Sequence, residues 1–116
     1  TRTASITGGY IALALAVARM REAGVLHGEV LRWPVAAVSA GIVAGEPRLD
    51  LAYLEDAAAE TDMNCVGAAD GRFIELQGSA EQEPFSRVEM DQLLDLAGGG
   101  LQRLFEVQRE VLAQAV

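Results

Sequence analysis

Lysine is absent from this sequence: all nine basic residues are arginine, set against seventeen aspartates and glutamates, for a formal net charge of −8 and a pI near 4.5. The arginines are scattered, which excludes a surface that holds a polyanion by charge alone, because neutralising phosphates takes clustered cations. Cysteine is nearly absent too. The single Cys65 excludes an internal disulfide and a cysteine-rich zinc site, and fits a reducing compartment. There is no GxGxxG, Walker A or HExxH pattern, no repeat, no low-complexity segment and no linker. No signal peptide is visible, and the longest weakly charged run, Ile6 to Ala18, is too short to span a bilayer and runs into "RMRE". A cytoplasmic protein with no membrane partner is expected. With 116 residues, 51% of them hydrophobic, and only three prolines, the chain can bury a modest core as a single domain over 1–116.

Tyr10, Leu13, Ala14, Val17 and Met20 recur at helical spacing, which predicts a mostly buried helix from Ile6 to Ala23, closed by Gly24 and capped by Ser5 or Thr3. Gly8 and Gly9, poor helix formers in its first turn, suggest that something packs close to them. After Trp33 and Pro34 the pattern becomes β-branched and partly alternating. It predicts a hairpin of Val35 to Val43 and Arg48 to Leu54 about the turn "AGEP", then a second hairpin, "MNCVGAA" and "RFIELQG", about Asp70 and Gly71. Ser86 and Glu89 have capping-box spacing and start a final helix, whose Leu93, Leu94, Leu101, Leu104, Phe105, Val107 and Leu112 can cover a sheet. The run "GGG" at Gly98 to Gly100 is a candidate kink or break. The order helix, four mainly antiparallel strands, helix is an α+β fold with helices flanking one sheet.

Two stretches could carry chemistry. The opening "TRTASITGGY" sets Thr1, Arg2, Thr3 and Ser5 at a helix start, where free backbone N–H groups, hydroxyls and a guanidinium suit an oxyanion such as phosphate. Ordinary N-capping explains the same residues and is the commoner use of them. The second stretch, "DLAYLEDAAAETDMN", holds Asp50, Glu55, Asp56, Glu60 and Asp62. Such a run is most often a solvated connection, yet carboxylates at a strand start and in the small-residue loop before it could bind Mg²⁺, or keep a proton as a general acid. Spacing leaves these open. His27 lies in a polar loop and reads as surface; Cys65, in a strand, reads as a small core residue.

Taken in order, "TRTASITGGYIALALA", "VAAVSAGIV", "DLAYLEDAAAETDMN" and "FIELQGSAEQEPFSR" resemble the ribonuclease PH family, over nearly the whole chain but only the carboxy-terminal half of the family's length. The resemblance implies half of a ribonuclease PH-like fold (ribosomal protein S5 domain 2-like), with the amino-terminal half absent from this chain. It implies a phosphate-dependent tRNA nucleotidyltransferase: a 3′-to-5′ exoribonuclease that uses inorganic phosphate to release nucleoside 5′-diphosphates and trims the 3′ ends of transfer RNA precursors. Thr1, Arg2 and Thr3 match the family's phosphate-binding turn, and Ser5 fits the same motif. Asp56 and Asp62 match its paired catalytic aspartates, credited with Mg²⁺ binding and general-acid assistance. Gly9, Tyr10 and Ala57 depart from the family pattern without touching these positions.

RNA, the amino-terminal half and a homohexamer built as a trimer of dimers are the partners this resemblance implies. The amino-terminal half would bring the basic RNA-gripping surface that an acidic chain lacks, and without it the chain alone need not be active. Rival readings are another phosphorolytic subunit of the exosome or polynucleotide phosphorylase type, and a non-catalytic RNA-binding ring subunit. A third, independent of resemblance, is a Mg²⁺-dependent phosphohydrolase that uses water.

Overall fold

Nine residues of small and β-branched character, Val35–Val43, form strand β1, which packs against both described helices and pairs with two of the other strands. The structure, a computed structural model, describes residues 2–49, 60–81 and 83–115. Helix α1 spans Arg2–Glu22, β2 Glu46–Leu49, β3 Thr61–Ala68, β4 Phe73–Ala80 and helix α2 Arg87–Gln114. The strands form one antiparallel sheet in the order β2-β1-β3-β4. This is the expected α+β architecture of a four-stranded sheet with flanking helices.

The first hairpin turns more tightly than "AGEP" suggests. Ala44 (φ 53°) and Gly45 (φ 78°) form a two-residue turn that pairs Val43 with Glu46, so β2 starts at Glu46 and not at Arg48. Both central residues need positive φ in such a turn, because only that twist matches the flanking strands. Pro47, which has no N–H to give a ladder, sits on β2, the strand at one end of the sheet order. The rest of the expected strand, 50–54, lies outside the described residues. The second hairpin turns at Asp70 and Gly71 as expected. Gly71 takes φ 95°, and Asp70 Oδ1 accepts the Arg72 N–H at 3.0 Å while Oδ2 accepts Arg72 Nε at 2.6 Å. The Arg32 and Arg72 guanidiniums both lie over the Trp33 ring, 4.5 and 5.0 Å from its centroid, and so tie the approach to β1 to this turn.

Alternation divides the sheet into two faces. Ala36, Val38, Ala40 and Ile42 of β1 share one with Met63 and Cys65 of β3, and over it lie Leu93, Ala97, Leu101 and Phe105, one every four residues along α2. Cys65 is a fully buried core residue, and burial pushes its thiol up to about 11. Helix α2 begins on the expected capping box: Ser86 Oγ accepts the Glu89 N–H at 3.1 Å, and Glu89 Oε1 accepts the Ser86 N–H at 2.9 Å. The triple glycine does not split it, since α2 runs unbroken from Arg87 to Gln114. The buried stripe on both sides of the glycines outweighs their poor propensity. Gly100 also has a packing role, since a Cβ there would stand 2.8 Å from Leu49 Cδ2, and Gly67 meets Leu101 in the same way at 2.7 Å.

Helix α1 departs from expectation in where it starts and in how little of it is buried. It starts at Arg2, because no proline or glycine between Arg2 and Ser5 interrupts it, so Thr3 and Ser5 lie inside its first turn and do not cap it. It ends as predicted at Gly24 (φ 73°), with Val25 N–H donating to Met20 O at 2.9 Å and Gly24 N–H to Arg21 O at 3.0 Å. It is not mostly buried. Val17 is its one buried residue among those described, and Leu13 and Met20 are exposed; among the described residues the helix packs chiefly on β1 and α2, which leaves much of its surface uncovered. Nothing stands within 4 Å of a Cβ built on Gly8 or Gly9, so the expected close neighbour is not among the described residues.

Candidate active site

Asp62 is the second residue of β3, where a strand start was expected to hold it. It pairs across the sheet with Gly41 of β1 and Ser79 of β4. By alternation it faces away from α2, on the same side as Ser39, Asn64, Val66 and Glu75. The side chain is half-buried, with Oδ1 withdrawn from solvent. The polar neighbours in its row and the next, Ser79, Asn64 and Ser39, are neutral oxygen-bearing side chains.

Arg2 comes to the same face from the first turn of α1. Its Nη2 donates to Glu75 Oε1 at 2.5 Å in an ion pair whose side chains are 52% and 43% exposed. Glu75 pairs with Val66, which pairs with Ala37, so the Arg2 row lies four residues along β3 from the Asp62 row, about 13 Å at strand rise. The fold thus gathers Arg2 and Asp62, sixty positions apart in the chain, onto one face, without bringing them into contact.

The first turn of α1 carries no acidic residue, while Arg19 and Arg21 occupy its last turn. This is the charge order that favours an anion at the amino-terminal end. Thr3 lies beside Arg2 and, with Ala4, Thr7 and Gly8, lines an open cleft of about 300 Å³ closed by Ala37 and Leu104. Thr1, Asp50, Glu55 and Asp56 lie outside the described residues, and Glu60 precedes β3 with its N–H donated to Ile42 O at 2.8 Å. Among the described residues no three His, Cys, Asp or Glu gather as a metal cluster. The carboxylate of Asp62, with neutral oxygen-bearing side chains in its row and the next, is of the donor chemistry that suits a hard cation that retains waters, such as Mg²⁺. His27 is exposed, as its loop suggested.

Two residues of this region, Glu75 and Gln108, were not singled out from the sequence. Glu75 is simply an acidic residue in an exposed strand. Gln108, by contrast, continues the buried stripe Leu101, Leu104, Phe105 at helical spacing, and a polar side chain at such a position is a legible anomaly.

Residues 34–100 match the family model described as "3′ exoribonuclease family, domain 2". Over 115 residues the chain is 55% identical to ribonuclease PH of Parasynechococcus marenigrum (strain WH8102), a match covering 99% of this chain and 46% of that protein. The chain therefore spans about half the length of the curated relative it matches. Among solved structures it is similar to an archaeal exosome core, with a TM-score of 0.59 and 18% identity over 78% of this chain and 37% of that one. It is also similar to the Archaeoglobus fulgidus exosome with RNA bound to the active site, at 0.57 and 19% over 75% and 35%. At these identities the likeness is one of fold.

Proposed function

The chain belongs to the 3′ exoribonuclease family, as its second domain, and on that premise we propose that it is the carboxy-terminal half of a phosphorolytic 3′-to-5′ exoribonuclease. The observation that carries the reading is the convergence of Arg2 and Asp62 on one sheet face in a chain 55% identical to a ribonuclease PH. RNA as the substrate is supported by the fold neighbour that holds RNA at its active site.

In this reading Arg2, Thr3 and Thr1 hold inorganic phosphate against the first turn of α1. A phosphate oxygen attacks the phosphorus of the 3′-terminal nucleotide. The bond from that phosphorus to the preceding 3′-oxygen breaks, that oxygen takes up a proton, and the terminal nucleotide leaves as a nucleoside 5′-diphosphate. Positioning and charge stabilisation supply most of the acceleration in such a transfer. Asp56 and Asp62 would hold Mg²⁺, which supplies neutralisation of charge on the phosphoryl group. Alternatively, whichever of Asp56 and Asp62 does not hold the cation would keep a proton beside its neighbour's charge and give it to the leaving oxygen as general acid. Transfer RNA precursors are the proposed substrate, a homohexamer built as a trimer of dimers the assembly, and the cytoplasm the location. The basic surface that grips RNA is assigned to the other half of the protein, since this chain carries −8.

The test is incubation of the full-length protein with a 3′-extended transfer RNA and Mg²⁺, with and without inorganic phosphate, with products resolved by chromatography. Phosphate-dependent nucleoside diphosphates are expected. Asp62→Asn should lower the rate at least about a hundredfold, the usual cost of losing about 3 kcal/mol of stabilisation at a developing charge, with the circular dichroism spectrum unchanged. Nucleoside monophosphates formed without phosphate would instead establish a hydrolase. RNA binding without any product would establish a scaffold.

A further inference from the structure

Helix α1 is fastened to the sheet by a polar clamp at Thr7. Its hydroxyl accepts the Ala37 N–H at 3.0 Å and donates to Ala37 O at 3.3 Å, so one side chain takes both backbone groups of Ala37 in β1. Its carbonyl is held from the other side, where Gln108 Nε2 of α2 donates to Thr7 O at 3.1 Å and to Val35 O at 2.9 Å. Gln108 is 2% exposed and so is withheld from water, and its amide is committed to this junction. With two carbonyl oxygens facing Nε2, the orientation of the amide is fixed by the network. Three elements meet there through four hydrogen bonds.

What the clamp fixes follows from what else holds α1. The one buried residue of the helix among those described is Val17, ten positions and about 15 Å further along the axis. The Arg2–Glu75 pair nearer the amino-terminal end is exposed, and a pair of that kind contributes little to holding a helix in place. Arg2 and Thr3 lie five and four residues before Thr7, little more than one turn away. The clamp is thus the set of buried, directional contacts beside the first turn, and it bears on where that turn stands.

We propose that Thr7 and Gln108 are positioning residues for phosphate: the clamp sets where Arg2 and Thr3 stand over the sheet face, and loosening it weakens phosphate binding selectively. The inference rests on the phosphorolytic reading above. Neither residue touches phosphate in this account; they act through the helix that bears the ligands.

The test uses the full-length protein, with initial phosphorolysis rates measured against inorganic phosphate at saturating RNA, and then against RNA at saturating phosphate. Thr7→Val keeps the volume and removes the hydroxyl. It is expected to raise the phosphate KM about tenfold, a displacement effect of the kind a small misplacement of ligands produces. The kcat at saturating phosphate and the KM for RNA should stay within twofold. Thr7→Ser, which restores the hydroxyl, should recover the wild-type phosphate KM, which a loss of packing alone would not allow. Gln108→Leu should reproduce the Thr7→Val pattern at any temperature where circular dichroism shows it folded. A phosphate KM within twofold of wild type in folded Thr7→Val, or an equal rise in both KM values, would overturn the clamp while leaving phosphorolysis intact. Wild-type turnover that does not depend on phosphate would overturn the underlying reading and the clamp's role with it.

Discussion

On the proposed reading of Arg2 as the phosphate-binding guanidinium, Glu75→Gln should make the full-length protein bind phosphate better. Arg2 and Glu75 form an ion pair at 2.5 Å with about half of each side chain exposed, so an incoming phosphate must displace a carboxylate from the guanidinium that is to receive it. Pairs this exposed contribute about 0.2–1 kcal/mol, and the good geometry puts this one toward the upper end. Since 1.4 kcal/mol is tenfold in an equilibrium, the competition weakens phosphate binding by about two- to fivefold. Replacing Glu75 by the isosteric amide removes the charge and keeps the shape, so the phosphate KM should fall by that factor with kcat and the RNA KM unchanged. The assay is phosphorolysis against phosphate concentration at saturating RNA. Two controls follow from the physics. The gain should shrink at about 1 M salt, where the screening length falls to about 3 Å. It should vanish in an Arg2→Ala background, because the interaction being relieved is then already gone. A phosphate KM that rises or stays put in Glu75→Gln would refute the assignment of Arg2 as the phosphate-binding guanidinium.

Four predictions concern the fold itself. Gly99→Ala should stabilise the chain by about 0.5–1 kcal/mol in a denaturant titration, since Gly99 lies inside α2 with open space where the methyl would go. Gly67→Ala should instead destabilise it by about 1–3 kcal/mol, because the methyl would stand 2.7 Å from Leu101 Cδ1. Ala44→Asn should add about 0.5–1 kcal/mol, as asparagine tolerates the left-handed conformation that Ala44 adopts at φ 53°; an unchanged melting temperature would argue against strain there. Cys65 should resist a thiol reagent at pH 8 until the protein unfolds. Its folded pKa is raised from 9.0 to about 11, so the unfolded thiol ionises first. Stability is therefore intact below pH 9 and declines as pH rises toward 11, a slope that Cys65→Ala should remove.

The strands and α2 were legible because each is specified by residues close together in sequence. Asp70 and Gly71 fix the second hairpin, and Ser86 with Glu89 starts α2 within one turn, so the local chemistry determines the local shape. Errors arose where a contact distant in sequence overrides that chemistry. The triple glycine weakens a helix only when the helix is considered alone; with Leu93, Ala97, Leu101 and Phe105 buried against β1 and β3, burial outweighs about 1 kcal/mol of propensity per glycine. The register of the first hairpin was missed because Ala44 is a poor residue for the conformation it takes, and nothing in "AGEP" singles it out.

Helix α1 shows why the site was only half legible. By length and composition alone it could cross a membrane, with a mean hydropathy of 1.3 over its most apolar window, and such a helix, apolar on all sides, is expected to be covered on all sides. Its hydrogen bonds argue for the sheet. Drawing α1 away would strip Thr7 from both backbone groups of Ala37 and leave the buried Gln108 amide without one of the two carbonyls it serves. Each hydrogen bond so lost is worth about 0.5–1.5 kcal/mol, so the polar junction adds a directional term to the packing of α1 against β1 and α2. The residues proposed to bind phosphate could be suspected from their types at a helix start, but their position relative to Asp62 depends on contacts spanning 30, 73 and 101 residues. No periodicity within α1 encodes those distances. The chemistry of the first turn is written locally, and its aim is set by Gln108 near the far end of the chain.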